Sequence, residues 1–230
     1  AGIPINGLIW MGDRAFMQHQ IEKKLQEGYS CLKLKIGGLD FESELKILQQ
    51  IREVANAQNL TIRLDANGAF SPMDARQKLE QLAKYNIHSI EQPIKPGQLE
   101  VMANLCNQSP VPIALDEELI GIVEQNEKQQ LLSIIQPTYI ILKPTLIGGF
   151  AATREWITQA ETKGIKWWMT SALESNIGLN AISQFTGQFN LEREQGLGTG
   201  QLYHNNIESP LQIKSGKLYY NTTKEWGPLD

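Results

Sequence analysis

Thr61-Ile62-Arg63-Leu64-Asp65-Ala66-Asn67 alternates polar and apolar residues and reaches a carboxylate at its far end. Residues two apart in a β-strand point the same way, so Arg63, Asp65 and Asn67 share one face while Leu64 takes the other. Cys31-Leu32-Lys33-Leu34-Lys35-Ile36 repeats the design, with Lys33 and Lys35 on one face and Leu34 on the opposite one. Further along, short aliphatic runs end on Glu91, Asp116, Lys143 and Ser171. Counted from Asp65, the intervals between these residues are 26, 25, 27 and 28 positions. Each is about the length of one strand plus one crossover helix, so the rhythm is that of repeated βα units in a parallel sheet.

Extending the pattern to both ends predicts eight strands, over residues 7–11, 31–36, 61–66, 89–92, 113–117, 139–144, 166–171 and, weakly, 198–202. Helices are expected at 13–26, 40–55, 98–106, 129–135, 150–163 and 177–185, with one more opening at Ser71-Pro72. Asp13 is positioned as an N-cap and Gly28 as the residue that ends the first helix. Phe16, Ile21 and Leu25 form its apolar side, and Leu45, Leu48, Ile51 and Val54 that of the second. Proline after Ser71 suits a first helical turn. Eight strands with seven intervening helices predict a TIM-like (β/α)7β barrel over residues 1–208. Residues 209–230 break the pattern: they read as an extended tail with a turn at Ser215-Gly216, expected to leave the barrel and pair outside it.

Bulk properties bound the function. The 230 residues, 41% of them hydrophobic, are enough for one large core. A formal net charge of -4, with basic residues scattered along the chain, argues against a nucleic-acid partner. Cys31 and Cys106 lie far apart in apolar surroundings and read as reduced packing residues of a cytoplasmic protein. No apolar run is long enough for a membrane span. The start at Ala1-Gly2-Ile3-Pro4-Ile5, without methionine, leads us to expect further chain before it.

In a barrel, strand-end residues in this phase surround one mouth, where barrel enzymes build their sites. One such charge is equally well explained by a surface salt bridge. Several together, facing inward, would each cost several kcal/mol unless paired or bound to a metal. Asp65, Glu91 and Asp116 supply hard anionic oxygens, which suit Mg2+, with Mn2+ as the alternative. His19, His88 and His204 form no ligand cluster. Glu117 should point away from the mouth by alternation, and Glu118 should lie in the loop. Lysines flanking such an ion suggest proton removal from the α-carbon of a chelated carboxylate, because the metal stabilises the enediolate that forms. Lys33, Lys35 and Lys143 are the candidate catalytic residues, and Lys35, the candidate base, must be neutral to act. Burial, the charge of Lys33 and the metal all favour that form. Lys143 would be a second acid/base or a fixed cation.

Lys33-Leu34-Lys35, Asp65-Ala66-Asn67, Glu91-Gln92-Pro93, Asp116-Glu117-Glu118 and Lys143-Pro144, in this order and spacing, resemble the enolase superfamily and its muconate lactonising enzyme subgroup. A lysine base beside magnesium is a known pattern there. The opening Pro4-Ile5-Asn6-Gly7-Leu8-Ile9-Trp10, with Leu142 to Leu146 and Thr170 to Ser175, is most similar to the o-succinylbenzoate synthase family. That resemblance implies a Mg2+-dependent carbon-oxygen lyase of menaquinone biosynthesis, dehydrating a succinyl-hydroxycyclohexadiene carboxylate. It implies that Lys35 takes the α-proton and then protonates the departing hydroxyl, while Lys143 faces the enediolate by a cation-π contact. Ser171, Gly198 and Thr199 would meet the succinyl tail. It also implies an N-terminal α+β capping domain over the mouth, which these residues do not contain and against which the tail 209–230 would pack.

Two alternatives stay open. A dipeptide epimerase or N-acylamino-acid racemase would use the same lysines as opposed bases; Gly196-Leu197-Gly198-Thr199-Gly200 lacks the Asp-x-Asp expected of the epimerase. A non-catalytic metal-binding barrel would have no use for both lysines. Homo-oligomerisation is left open.

Overall fold

A computed structural model describes residues 2–10, 12–201 and 203–228, apart from the side chains of Arg14 and Gln201. Seven parallel strands among these residues form one curled sheet in chain order: β2 (Gly7–Ile9), β3 (Cys31–Lys35), β4 (Thr61–Asp65), β5 (Ser89–Glu91), β6 (Ile113–Leu115), β7 (Tyr139–Leu142) and β8 (Lys166–Met169). The crossovers carry helices α1 (Arg14–Gln26), α2 (Phe41–Val54), α3 (Ala75–Leu82), α4 (Leu99–Gln108), α5 (Gln125–Ile135), α6 (Gly149–Thr162) and α7 (Asn176–Thr186). Leu34 and Leu64, on the outward face, join the core between sheet and helices with Leu48, Ile51 and Trp156. Ala114, Tyr139, Ile141 and Trp168 form a separate cluster. Both faces of the central strands are therefore buried, as parallel sheets require.

The closing strand is shorter than expected and lies earlier in the chain. Gln195 and Gly196 bridge Ile5 and Thr170 in parallel, which joins β8 back to the start of β2, while residues 199–201 form a 3-10 turn. Gly196 N donates to Met169 O at 2.7 Å and Asn6 N to Gln195 O at 3.0 Å. A Cβ on Gly196 would come within 2.2 Å of Thr170 Oγ1, so only glycine fits there.

Helix starts follow local capping. Asp13 accepts a hydrogen bond from Phe16 N, and Asp40 accepts one from Ser43 N. Gly28 follows the C-cap of α1 at φ +80°. Ser71-Pro72 does not open α3: Ser71 instead closes a turn, its carbonyl accepting from Ala75 N, and the helix begins at Ala75. Helix α5 begins at Gln125, earlier than its apolar residues indicate. The apolar faces also differ in detail. Met17 and Ile21 are buried in α1 while Phe16 is exposed, and Val54, the last residue of α2, is 76% exposed.

The tail folds back on this chain. Leu211–Lys214 (β9) and Lys217–Tyr220 (β10) form a hairpin about Ser215-Gly216, and β10 pairs antiparallel with Ile3–Pro4 (β1). Gly216 O accepts from Ile5 N at 2.9 Å. This small sheet therefore covers the end of the barrel where the strands begin, beside Gly28 and Tyr29.

Candidate active site

Register places the carboxylates. Lys35 pairs directly with Asp65 and Asp65 with Glu91, so three charged residues lie side by side across β3, β4 and β5. Asp116 follows β6 immediately and opens a 3-10 turn over Glu117–Leu119. One oxygen from each of Asp65, Glu91 and Asp116 lies within 4.8 Å of the others, and all three residues are buried. Among the described residues, no other group of His, Cys, Asp or Glu converges in this way. Glu91 Oε1 is buried without a hydrogen-bond partner. An all-oxygen, anionic set with an orphaned carboxylate oxygen at its centre fits a divalent metal ion.

Three lysines balance the three carboxylates. Lys33 Nζ lies 2.9 Å from Asp65 Oδ2 and also bonds Glu91 Oε2. Lys35 Nζ donates to Asp65 Oδ2 at 3.0 Å and to Asn67 Oδ1 at 2.6 Å. Lys143 Nζ donates to Asp116 Oδ2 at 2.5 Å. Burial alone would lower the Lys33 pKa, but the Asp65, Glu91 and Asp116 carboxylates outweigh it and hold the ammonium well above its usual range. Lys33 is thus a fixed cation. Burial opposes ionisation of Asp65, yet Lys33 and Lys35 hold its carboxyl below the usual range. Burial dominates at Glu91, pushed up to about 7, with Asp65 and Asp116 adding to the rise against Lys33. Asp116 is raised too, by burial first and despite Lys143. The strain of confining three carboxylates therefore falls mainly on Glu91 and Asp116.

Beside this row opens a cavity of about 310 Å³. Lys33, Lys35, Asp65 and Lys143 line it, together with Asn6, Leu8 and Trp10. Ser171, Gly198 and Thr199, expected to meet substrate, all line it, and the Ser171 and Thr199 hydroxyls are hydrogen-bonded to each other. Asn6 Oδ1 is buried and unpartnered. Leu146 and Leu173 stand half exposed at the rim.

The model of the enolase C-terminal domain-like family matches residues 17–225. The chain belongs to that family. Among its curated members, the chain is 56% identical to an o-succinylbenzoate synthase of Desulfotalea psychrophila over 94% of its own length, spanning 58% of that protein. The crystal structure of MenC from Desulfotalea psychrophila superposes with a TM-score of 0.89 at 55% identity, covering 95% of this chain and 60% of that one. An N-succinylamino acid racemase of Thermus thermophilus is 33% identical over 69% of this chain and 40% of its own. No helix among the described residues is long and apolar enough to cross a membrane.

With the family fixed, the TIM-like barrel and its strand-end rhythm stand as expected. Glu117 is a correction. It turns toward the mouth, where its Oε1 accepts from Asn67 Nδ2 at 2.8 Å. Strand alternation ends at Leu115, and the 3-10 turn that follows resets the direction of each side chain. Glu118 does lie in the turn, buried, where it accepts from Gln92 Nε2 at 2.9 Å and Gly97 N at 2.8 Å, tying the loop after β5 to the turn after β6. Residues that spacing did not single out are Asn6, Gln92 and Thr170, none of which carries a charge. Cys31 and Cys106 are free, and burial pushes both thiols up to about 12.

Proposed function

We propose that this chain carries the acid/base machinery of a Mg2+-dependent lyase of the o-succinylbenzoate synthase type, acting in the cytoplasm in menaquinone biosynthesis. The supporting observation is the placement of Lys35 and Lys143 at the two ends of one carboxylate row, on the wall of one cavity. The substrate would be 2-succinyl-6-hydroxycyclohexadiene-1-carboxylate. Asp65, Glu91 and Asp116 would hold a magnesium ion, which would supply positive charge to the substrate carboxylate and so acidify the adjacent C–H. Lys35 takes that proton; the C–H electrons become the third double bond of the ring, the C–O bond breaks, and Lys35 returns the proton to the hydroxide, which leaves as water. Lys143 remains protonated opposite and stabilises the negative charge that develops between the two steps. Lys33, locked between Asp65 and Glu91, compensates the buried carboxylates and takes no part in proton transfer. Ser171, Gly198 and Thr199 would receive the succinyl tail.

Leu146 and Leu173 leave the mouth with an exposed apolar rim. We assign that rim to contact with a capping domain that excludes water during the reaction. The N-succinylamino acid racemase likeness keeps a second reading, 1,1-proton transfer between the same lysines. The test is to assay the whole protein that contains this chain, with Mg2+, against the cyclohexadiene carboxylate, a panel of N-succinylamino acids and a panel of dipeptides. Aromatisation of the first, abolished by chelator, is expected. Racemisation without aromatisation would overturn the proposal.

A further inference from the structure

Asn67 stands between the candidate base and a carboxylate that the metal row does not use. Its Oδ1 accepts from Lys35 Nζ at 2.6 Å, while its Nδ2 donates to Glu117 Oε1 at 2.8 Å. An amide has one accepting end and one donating end, so a carboxylate at the far side dictates which end meets the lysine. Asn67 holds this post at φ +43°, a left-handed conformation that asparagine tolerates better than most residues.

Beyond Cε, a lysine nitrogen has three tetrahedral positions. Asp65 Oδ2 and Asn67 Oδ1 occupy two of them as acceptors. A neutral amine has two N–H bonds to give, and these acceptors take both. The lone pair is then left at the third position, on the cavity that Lys35 lines. Among the described residues, Lys143 has a carboxylate partner in Asp116 but no amide of this kind among its hydrogen bonds. We propose that Asn67 and Glu117 are positioning residues for Lys35: Glu117 sets the polarity of the Asn67 amide, and the amide aims the Lys35 lone pair at the substrate C–H. This rests on the lyase reading above.

Polarity can be inverted and then restored. In Glu117→Gln, the introduced amide can donate to Asn67 Oδ1, which turns the Asn67 NH2 group toward Lys35. In Asn67→Asp, two carboxylates face each other. The double variant N67D/E117Q again presents an acceptor oxygen to Lys35, with the amide at position 117 now donating to the carboxylate at position 67, at unchanged total charge. With the whole protein and Mg2+, each single variant should lower kcat about 10- to 100-fold with little change in KM, and the double variant should recover most of the loss. Magnesium affinity of Glu117→Gln, by calorimetry, should match the wild type. The reading that needs no turnover is the 15Nζ signal of Lys35, assigned by its loss in Lys35→Arg: its order parameter should drop in both single variants and return in the double one.

A double variant no better than the singles would overturn the proposal, as would losses that track magnesium affinity or a Lys35 order parameter that never changes. If the wild type does not aromatise the cyclohexadiene carboxylate, the lyase reading fails separately, and the order parameter still decides whether Asn67 and Glu117 hold Lys35.

Discussion

The two ends of the barrel both bury cations, yet they use them differently. At the mouth, Lys33, Lys35 and Lys143 meet three converging carboxylates beside an open cavity, and Glu91 Oε1 and Glu117 Oε2 still lack partners. Toward the other end, Arg63 is fully buried with its Cζ 4.0 Å from the centre of the Trp168 ring, and its Nη1 donates to Glu194 O at 2.8 Å. Its one carboxylate partner, Glu194, is 3.8 Å away. Buried charge alone therefore does not mark a site. What marks it is an excess of converging ligands over protein partners, and a volume for something else to fill.

That contrast predicts different failures. Lys35→Ala or Lys143→Ala in the whole protein should cost about 10³-fold or more in turnover of the cyclohexadiene carboxylate, with the circular dichroism spectrum and melting temperature near wild type. Near-normal rates in either variant would sink the mechanism. Arg63→Met should do the reverse: a stability loss of about 3 kcal/mol by chemical denaturation, with metal affinity of the folded protein preserved. A thermally normal Arg63→Met would remove the distinction between the ends. Asp116→Asn, which takes one anionic ligand and the partner of Lys143, should weaken magnesium binding by about tenfold or more in calorimetry. Unchanged affinity would remove Asp116 from the ligand set.

The mouth was legible in the sequence because its chemistry is charged and periodic. Alternation and interval alone place Lys35, Asp65 and Glu91, which fall in direct register. Asp13 and Asp40 were equally plain, since a cap depends on atoms three residues away. The closing strand was not legible. Gln195-Gly196 has no apolar run and works through backbone bonds and one close approach to Thr170, neither of which composition reveals. Alternation misdirects Glu117 for a related reason: the rule of two holds only while the strand lasts, and the 3-10 turn at Asp116 breaks it. Phe16 and Val54 have helical spacing but sit where neighbouring elements leave them exposed, which only tertiary packing decides.

The smallest predicted effect belongs to the lower end and concerns pH. His88 stacks on Tyr139 with ring centroids 5.0 Å apart, and its Nδ1 is 2.9 Å from Ser89 Oγ. Burial, then the charges of Arg63, Arg193 and Lys166, lower its pKa from 6.5 to about 4. Between those values the unfolded chain binds a proton that the folded protein refuses, so stability from this residue is intact above pH 6.5 and is lost as pH falls toward 4. The size should be on the order of 1–2 kcal/mol, since solvent still reaches part of the ring. Glu91 titrates in an overlapping range and with the opposite sign, so the measurement is the difference between wild type and His88→Gln, in which contributions common to both cancel. Denaturation of the two proteins from pH 7.5 to 4 should show the wild type losing stability faster below pH 6.5. Parallel curves would mean that the lower cluster admits a protonated His88, and with it that a second buried cation can be accommodated beside Arg63 without any converging carboxylate.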